Sequence, residues 1–303
     1  MRYLQIITRM EEARELWRAQ IPAETVFDLW EVREALHRHY QRPLRFLFCD
    51  APDQPRVFLP LSWVEEKGAC CFFPGETWSN KTWLEQNHAD FGGLSREELE
   101  AKLGTAVHLR YLRESPTLDP VSSVDEIGYL FHPPCYEYKI ENWWMSFSRK
   151  KRRQIRRELC ELEEHGATVR RGNEDDFDLM VAMSLRRFGA SSYFVDSRFR
   201  QGFREVFAIL ARQGRLRVTV VDMNSVPVAV DFGSVYQGRY TLLAGGTDAQ
   251  FPGVAKLINL YHLQWACHER LQEVDFLCGE SSWKPLFHLT SRPLYLVASS
   301  HSG

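Results

Sequence analysis

The sequence predicts an α/β (α+β) chain with mixed, mostly antiparallel sheets flanked by helices. Three observations carry this reading. Helix-period and strand-period segments alternate along both halves of the 303 residues. Three strand-like runs, Leu216–Asp222, Val226–Val235 and Arg239–Thr247, follow one another with only Asn224-Ser225 and Gln237-Gly238 as turn signals between them, the pattern of an antiparallel meander. The third run then leads through a glycine-containing turn into a helix and on to a further strand, Val274–Leu277, an order that demands a parallel crossover.

Element by element, Met10–Ala19 has helical spacing, as does Thr25–His39 through Val26, Leu29, Trp30, Ala35 and Leu36. Strand-like runs follow at Leu44–Cys49, Arg56–Val64 and Ala69–Phe73, the last ended by a Pro74-Gly75 turn. Leu94–Leu103 reads as a helix with Ser95 at its N-cap and Glu98 three residues on, a capping-box spacing. Val107–Leu112 is a further strand, and residues 113–127, with Pro116, Pro120 and several serines, read as a loop. A domain boundary is expected near residue 141, dividing the chain into 1–140 and 141–303. Beyond it come helices Phe147–Glu164, Asp175–Phe188 and Arg198–Gln213, the meander, a helix from Val254 to Arg270, the strand Val274–Leu277 and a last segment ending in Leu294–Val297. The first half also begins with helices and continues into a meander, so the two halves read as two copies of one fold.

Composition narrows the classes. Hydrophobic residues make up 44% and charged residues 26%, as in a soluble globular protein. A formal net charge of −2 argues against a general nucleic-acid binder, while leaving room for local basic patches. No uninterrupted apolar run approaches the length of a membrane span, and the N-terminal Met1–Arg9 is charged too early for a signal peptide, so the expectation is a cytoplasmic protein. The seven cysteines (Cys49, Cys70, Cys71, Cys135, Cys160, Cys267, Cys278) are scattered without CxxC spacing and suggest neither a disulfide framework nor a zinc site. His262 and His268 stand six apart on one helix, off a common face, and no metal is expected.

The most informative segment is Gln250-Phe251-Pro252-Gly253-Val254-Ala255, between the run Tyr240–Thr247 and the helix from Val254. A strand, a glycine turn and a helix N-terminus form an anion cradle, because first-turn amides lack intrahelical acceptors and the helix dipole adds positive charge there. The plain alternative is a turn that only caps the helix. Gly245-Gly246 in the preceding strand suggests a bulge or a close backbone approach. A P-loop is excluded, since Gly253-Val254-Ala255-Lys256 lacks the Gly-Lys-Ser/Thr ending. The spacing Gln-x-x-Gly-x-Ala resembles the pyrophosphate loop of GNAT-fold acyltransferases.

Two further stretches sharpen the resemblance to the Fem-type and CelD-like branch of that superfamily. One is the basic helix Phe147–Arg157. The other is Val274-Asp275-Phe276-Leu277-Cys278-Gly279-Glu280 followed by Trp283-Lys284. The likeness covers roughly residues 141–300, and Trp283 stands where the branch usually has tyrosine. It implies two tandem GNAT-like domains, with 1–140 lacking the CoA loop and 141–303 carrying the acyl-CoA site. The implied activity is acyl-CoA-dependent N-acyl transfer, with acetyl-CoA as the first donor to consider and a small-molecule, sugar or peptide amine as acceptor.

On that reading the backbone of Leu243, Ala244 and Gly245 serves the acyl carbonyl and pantetheine. Gln250, Phe251, Gly253, Val254, Ala255 and Lys256 hold the pyrophosphate. The Lys256 side chain either adds charge to a phosphate or is simply solvated. Glu280 and Asp231 are the candidate bases. Asp231 interrupts an apolar strand, so it is either functional or solvent-facing with Val228, Val230 and Phe232 inward. Asp275 reads as a buried hydrogen-bonder, Tyr261 and His262 as core or interface residues. Seven Lys or Arg fall within residues 149–157. They form a solvated helix face or seek an anionic neighbour, since cations in a first turn oppose the dipole. If the donor were aminoacyl-tRNA, as in Fem-type enzymes, Arg149–Arg157 would contact it. A non-catalytic GNAT-fold binding protein is the reading from another class.

Overall fold

The computed structural model describes residues 4–114, 123–279 and 283–299. The chain divides into two compact units, neither contiguous in sequence. Unit one comprises Met1–Ile127, Asp196–Ile209 and Pro293–Gly303; unit two comprises Gly128–Val195 and Leu210–Arg292.

Unit one runs β1 (Gln5–Ile7), α1 (Met10–Gln20), α2 (Trp30–Tyr40), β2 (Phe46–Cys49), β3 (Val57–Leu59), β4 (Leu61–Val64), β5 (Ala69–Phe72), α3 (Arg96–Leu103) and β6 (Ala106–Leu112). The expected helix Thr25–His39 is two elements. A short 3-10 turn, Val26–Asp28, closes with a Thr25/Asp28 capping box, and Leu29 is extended before α2 begins. The expected strand Arg56–Val64 is likewise cut at Pro60, which has no N–H to donate to a ladder. Ser95 and Glu98 form the capping box of α3 as the spacing predicts. The region 113–127 differs from expectation. Strand β7 (Ser123–Phe131) begins inside it, and Arg110 of β6 holds Asp125 through a two-nitrogen contact with bonds of 2.8–3.1 Å. A charged pair across strands replaced the apolar alternation that would have marked β7.

In unit one β5 and β6 run parallel, but they pair only at Ala69↔Ala106 and Cys70↔Val107. Beyond that point the unit's own chain lies beside β6. Asn87 bridges Leu112, donates its N–H to Tyr111 O (2.8 Å) and accepts Arg113 N–H on its carbonyl (3.1 Å). Two buried charges pin this segment. Arg33 donates to Phe27 O (2.8 Å), Phe73 O (2.6 Å) and Asn87 Oδ1 (2.7 Å). Glu76 Oε1 accepts from Thr82 Oγ1 (2.5 Å), Leu84 N (2.9 Å) and Trp83 N (3.2 Å). Trp78 and Trp83 complete the packing against Phe199 and Phe203, at centroid distances of 5.7 and 5.2 Å.

Unit two continues with the end of β7, α4 (Ile140–Met145), α5 (Arg149–Glu164), β8 (Ala167–Arg171), α6 (Asp176–Phe188), most of it before α7 (Ser197–Arg212), whose first part belongs to unit one. Then come β9 (Leu216–Met223), β10 (Val226–Tyr236), β11 (Arg239–Thr247), α8 (Val254–His268), β12 (Glu273–Asp275) and the start of β13 (Thr290–Ala298). Two of these, α4 and β8, have no counterpart in the sequence reading. The first is six residues long, the second short and polar, and each is fixed by what it packs on: Trp143 donates to Phe287 O (3.0 Å), and β8 pairs with β9 from Ala167 to Arg171. The meander β9-β10-β11 is antiparallel, and β12 joins β11 in parallel after the α8 crossover, as expected. The strand order is β8-β9-β10-β11-β12-β7. Helix α6 covers one face, where Phe177 stacks on Phe232 at 5.8 Å, and α8 the other, where Val254, Leu257 and Ile258 pack on Val221 and Ala229.

Candidate functional site

The site begins where β11 and β12 part. Their parallel pairing covers Arg239↔Glu273, Tyr240↔Val274 and Thr241↔Asp275 and goes no further among the described residues, while β11 runs on to Thr247. From Leu242 onward that edge of β11 has no strand beside it among the described residues. Phe276 has left it and donates instead to Tyr129 O (3.0 Å). The register with β10 jumps from Phe232↔Ala244 to Gly233↔Leu242, so Leu243 is an extra, bulged residue at the start of the open edge.

The bulge therefore lies at Leu243 and not at Gly245-Gly246, where the glycine pair suggested it. Those glycines answer to packing. A Cβ on Gly245 would fall 2.2 Å from Asp231 Oδ1, and one on Gly246 would fall 2.7 Å from Met183 Cβ of α6. Both are positions where something must pass close to the backbone, which is the other half of what a strand glycine signals.

After β11 the chain turns through Asp248, whose Oδ1 accepts Gln250 N–H (2.9 Å) and whose carbonyl accepts Phe251 N–H (3.2 Å). Gly253 sits at φ 93°, ψ −18°, a left-handed conformation that glycine adopts at little cost, and it starts α8. Lys256 N–H returns to Gly253 O (2.9 Å), and Val254 N–H reaches Phe251 O at 3.4 Å. The amides of Gly253 and Ala255 make no hydrogen bond among the described residues. Only those two amides of the turn are left open to a ligand among the described residues, fewer than the sequence reading assigned. The Val254 side chain is fully buried in the core under α8, Phe251 packs against the same cluster, and Gln250 is exposed. The Lys256 ammonium is not a spare phosphate ligand: it pairs with Glu158 of α5, and that contact holds the Glu158 carboxyl below its usual range.

Asp231 does not face solvent. It is 5% exposed and points under α8, where Oδ2 lies 3.0 Å from Nε2 of a fully buried His262. Around this pair sit Tyr240, with its ring 5.0 Å from His262, and Thr219 directly across from Asp231 on β9. Burial, reinforced by the Asp231 charge, pushes the Tyr240 phenol well above its usual value. Tyr240 Oη, Thr219 Oγ1 and His262 Nδ1 are buried without hydrogen-bond partners among the described residues, so the space beneath α8 holds spare polar valence. Arg217, two residues before Thr219, lies 3.6 Å from the Trp265 ring centre and 3.4 Å from Tyr261 Oη. Burial lowers its guanidinium pKa. Asp275 is the buried hydrogen-bonder expected of it, accepting Leu277 N–H (2.8 Å) and pairing with Arg292 (2.8 Å). Glu280 lies outside the described residues. Nearby, Lys284 is buried with Nζ on the carbonyls of Leu277 (3.0 Å) and Cys278 (2.8 Å).

What sequence reasoning missed is the partnership of Asp231 with His262. Thirty-one positions separate them, and only the strand–helix crossover brings them together. A polar residue inside an apolar strand and a histidine inside an apolar helix were each visible; their meeting was not.

Residues 149–285 match the family model described as an acetyltransferase (GNAT) domain. This segment is a GNAT acetyltransferase domain. The match takes in α5 through α8 and β12, and so contains the open edge of β11 and the turn after it. No curated protein sequence matches the chain. Among solved structures, FemX aligns over 97% of this chain and 97% of its own, with a TM-score of 0.56 at 9% identity. The L-PGS of Bacillus licheniformis aligns over 98% and 93%, with a TM-score of 0.56 at 12% identity. A tandem GNAT protein from the clavulanic acid biosynthesis pathway aligns over 99% and 100%, with a TM-score of 0.50 at 12% identity. At such identities the likeness is one of fold, and it extends over nearly the whole chain. No helix among the described residues is long and apolar enough to cross a membrane.

Proposed function

We propose that this protein transfers an acyl group from acyl-CoA to an amine, with the donor laid along the open edge of β11. The observation that carries the reading is the early end of the β11–β12 pairing, followed by a turn whose Gly253 and Ala255 amides are unsatisfied. An extended pantetheine arm would meet the Leu243–Gly245 backbone, and a pyrophosphate would meet the start of α8, where free amides and the helix dipole favour negative charge. In the transfer the amine nitrogen bonds to the thioester carbon and the carbon–sulfur bond breaks, while a base takes the amine proton and passes it to the departing thiolate, which leaves as the thiol. Glu280 is the proposed base. Asp231 serves as the buried acceptor that orients His262. All seven cysteines are free, two of them exposed, which supports work in a reducing cytoplasmic compartment.

Only unit two would hold the donor. In unit one the comparable gap beside β6 is filled by the chain itself at Asn87. Titration calorimetry with CoA and acetyl-CoA tests the proposal. Binding should be present in the native protein and lost in Gly253→Glu. No binding, or binding indifferent to that substitution, sinks it.

A second reading, transfer from an aminoacyl-tRNA, is favoured by α5. Its N-terminal turns expose Arg149, Lys150, Arg153 and Arg156, and among the described residues Arg149, Lys150 and Arg153 make no ion pair. Filter binding of bulk tRNA at two salt concentrations decides it. Salt-sensitive retention that weakens with Arg153→Glu and Arg156→Glu supports tRNA contact; retention indifferent to both charge reversals rejects it.

A further inference from the structure

Unit one contains a cavity of about 470 Å³ that the acyl-transfer reading leaves unused. Its walls come from the end of α1, from β3, from the segment after Asn87 and from the end of β6, and include Gln20, Arg56, Phe58, Asp90, Leu112 and Arg113. The size suits a small ligand of metabolite dimensions.

The polar groups are only partly spent. Arg113 Nη1 donates to Glu24 Oε2 (2.7 Å) and lies 2.9 Å from His88 Nε2, while its Nε and Nη2 make no hydrogen bond among the described residues. Arg56 uses Nε on Asp90 Oδ2 (2.8 Å), and both of its terminal nitrogens are likewise without bonds among the described residues. Gln20 Oε1 is buried with no hydrogen-bond partner among the described residues. His88 stands between two demands, since its Nε2 also lies 3.3 Å from Asp28 Oδ1, a buried oxygen with no hydrogen bond. The lining thus offers guanidinium donors on one hand and the Asp90 and Glu114 carboxylates on the other.

Charge decides the ligand class. Arg56, Arg113 and His88 line the cavity together with Asp90 and Glu114, and Glu24 and Asp28 stand behind them. A lone anion would meet four carboxylates and a lone cation two guanidiniums, whereas a molecule carrying both charges satisfies each set. We propose that this cavity binds a small zwitterion, a free amino acid or short peptide. Its carboxylate takes the free donors of Arg113 and Arg56, its N–H groups meet the Asp90 and Glu114 carboxylates, and its apolar side chain lies on Phe58 and Leu112. Guanidinium–carboxylate contacts of this forked kind give orientation as well as affinity.

The probe is glycyl-L-phenylalanine, titrated calorimetrically into the full-length protein beside two analogues, N-acetylglycyl-L-phenylalanine without the ammonium and glycyl-L-phenylalanine amide without the carboxylate. The dipeptide should bind, and each analogue should bind about tenfold more weakly. Arg113→Gln and Arg56→Gln should each weaken the dipeptide by a similar factor. Arg56 is half exposed, with 53% of its side chain accessible, so its substitution leaves the fold intact even if Arg113→Gln does not. Absence of binding up to about 10 mM dipeptide overturns the proposal. So does equal binding of dipeptide and analogues, or binding unchanged by Arg56→Gln.

Discussion

His262 Nε2 stands 3.0 Å from Asp231 Oδ2 with the histidine wholly buried and the carboxylate nearly so, and this pair ties helix α8 to the centre of the sheet. Removing one partner strands the other. His262→Leu leaves a buried carboxylate without its neighbour and should cost about 3 kcal/mol in urea unfolding. Asp231→Asn keeps a hydrogen-bonding side chain there and should cost clearly less. If the two substitutions destabilise equally, the pair is not what holds α8, and the orphan atoms beneath the helix become the better explanation.

Lys256 illustrates how a cation beside an anion cradle can already be committed. Its ammonium is held by Glu158, and both side chains are roughly 30% exposed, so the pair itself is worth no more than about 1 kcal/mol. Lys256→Met should therefore change CoA affinity little. Glu158→Gln, by releasing the ammonium beside the Gly253 turn, should tighten it by about two- to threefold at low salt. Calorimetry on both variants checks this; a large loss in Lys256→Met would mean that the lysine leaves Glu158 when ligand arrives.

Much of unit two was legible because its signals are local. The meander, the turn at Gly253 and the crossover to Val274 each follow from period and turn chemistry over ten or so residues. Ser95 and Glu98 announced α3 in the same way. What escaped depends on distance in sequence. Strand β7 is stabilised by Arg110 reaching Asp125 and Glu126, and β8 by pairing with β9, neither of which leaves an apolar alternation to read. The site divides likewise. The turn at Gly253 and the start of α8 were legible, but the bulge at Leu243 depends on β10 register and the Asp231–His262 contact on a helix crossing. Of the two causes the Gly245-Gly246 pair offered, close approach to the backbone holds and the bulge does not.

Gly245 and Gly253 separate packing from binding. A methyl at Gly245 would sit 2.2 Å from Asp231 Oδ1, so Gly245→Ala should destabilise by about 1–3 kcal/mol through overpacking. Gly253 has φ 93° and only Leu162 Cδ1 nearby, at 3.3 Å from an added Cβ. Gly253→Ala should then cost about 1–2 kcal/mol of left-handed strain. Thermal melts alone will not distinguish them. Binding will: Gly253→Glu should abolish CoA affinity in a protein that remains folded at 25 °C, and a variant that melts before it loses affinity would assign Gly253 to the fold.

Glu76 gives unit one a pH signature. Burial raises its carboxyl pKa above the usual 4.5, against the opposing effect of its bonds from Thr82 and Leu84. The native state therefore holds the proton to higher pH than the unfolded chain does. Between those two values the native state binds more protons, so unfolding free energy must fall as pH rises. Above the native value the full charge is buried and the contribution stays at its minimum. Glu76→Gln keeps an oxygen for the Thr82 hydroxyl and the Leu84 amide but has no proton to lose. Urea unfolding of both proteins from about pH 4 to pH 8 isolates the effect as a difference. The native protein should lose stability relative to Glu76→Gln across the rising limb and then run parallel to it. Parallel curves throughout would show that Glu76 titrates alike in both states, and that Arg33, whose own pKa burial lowers to about 10, offsets its burial fully.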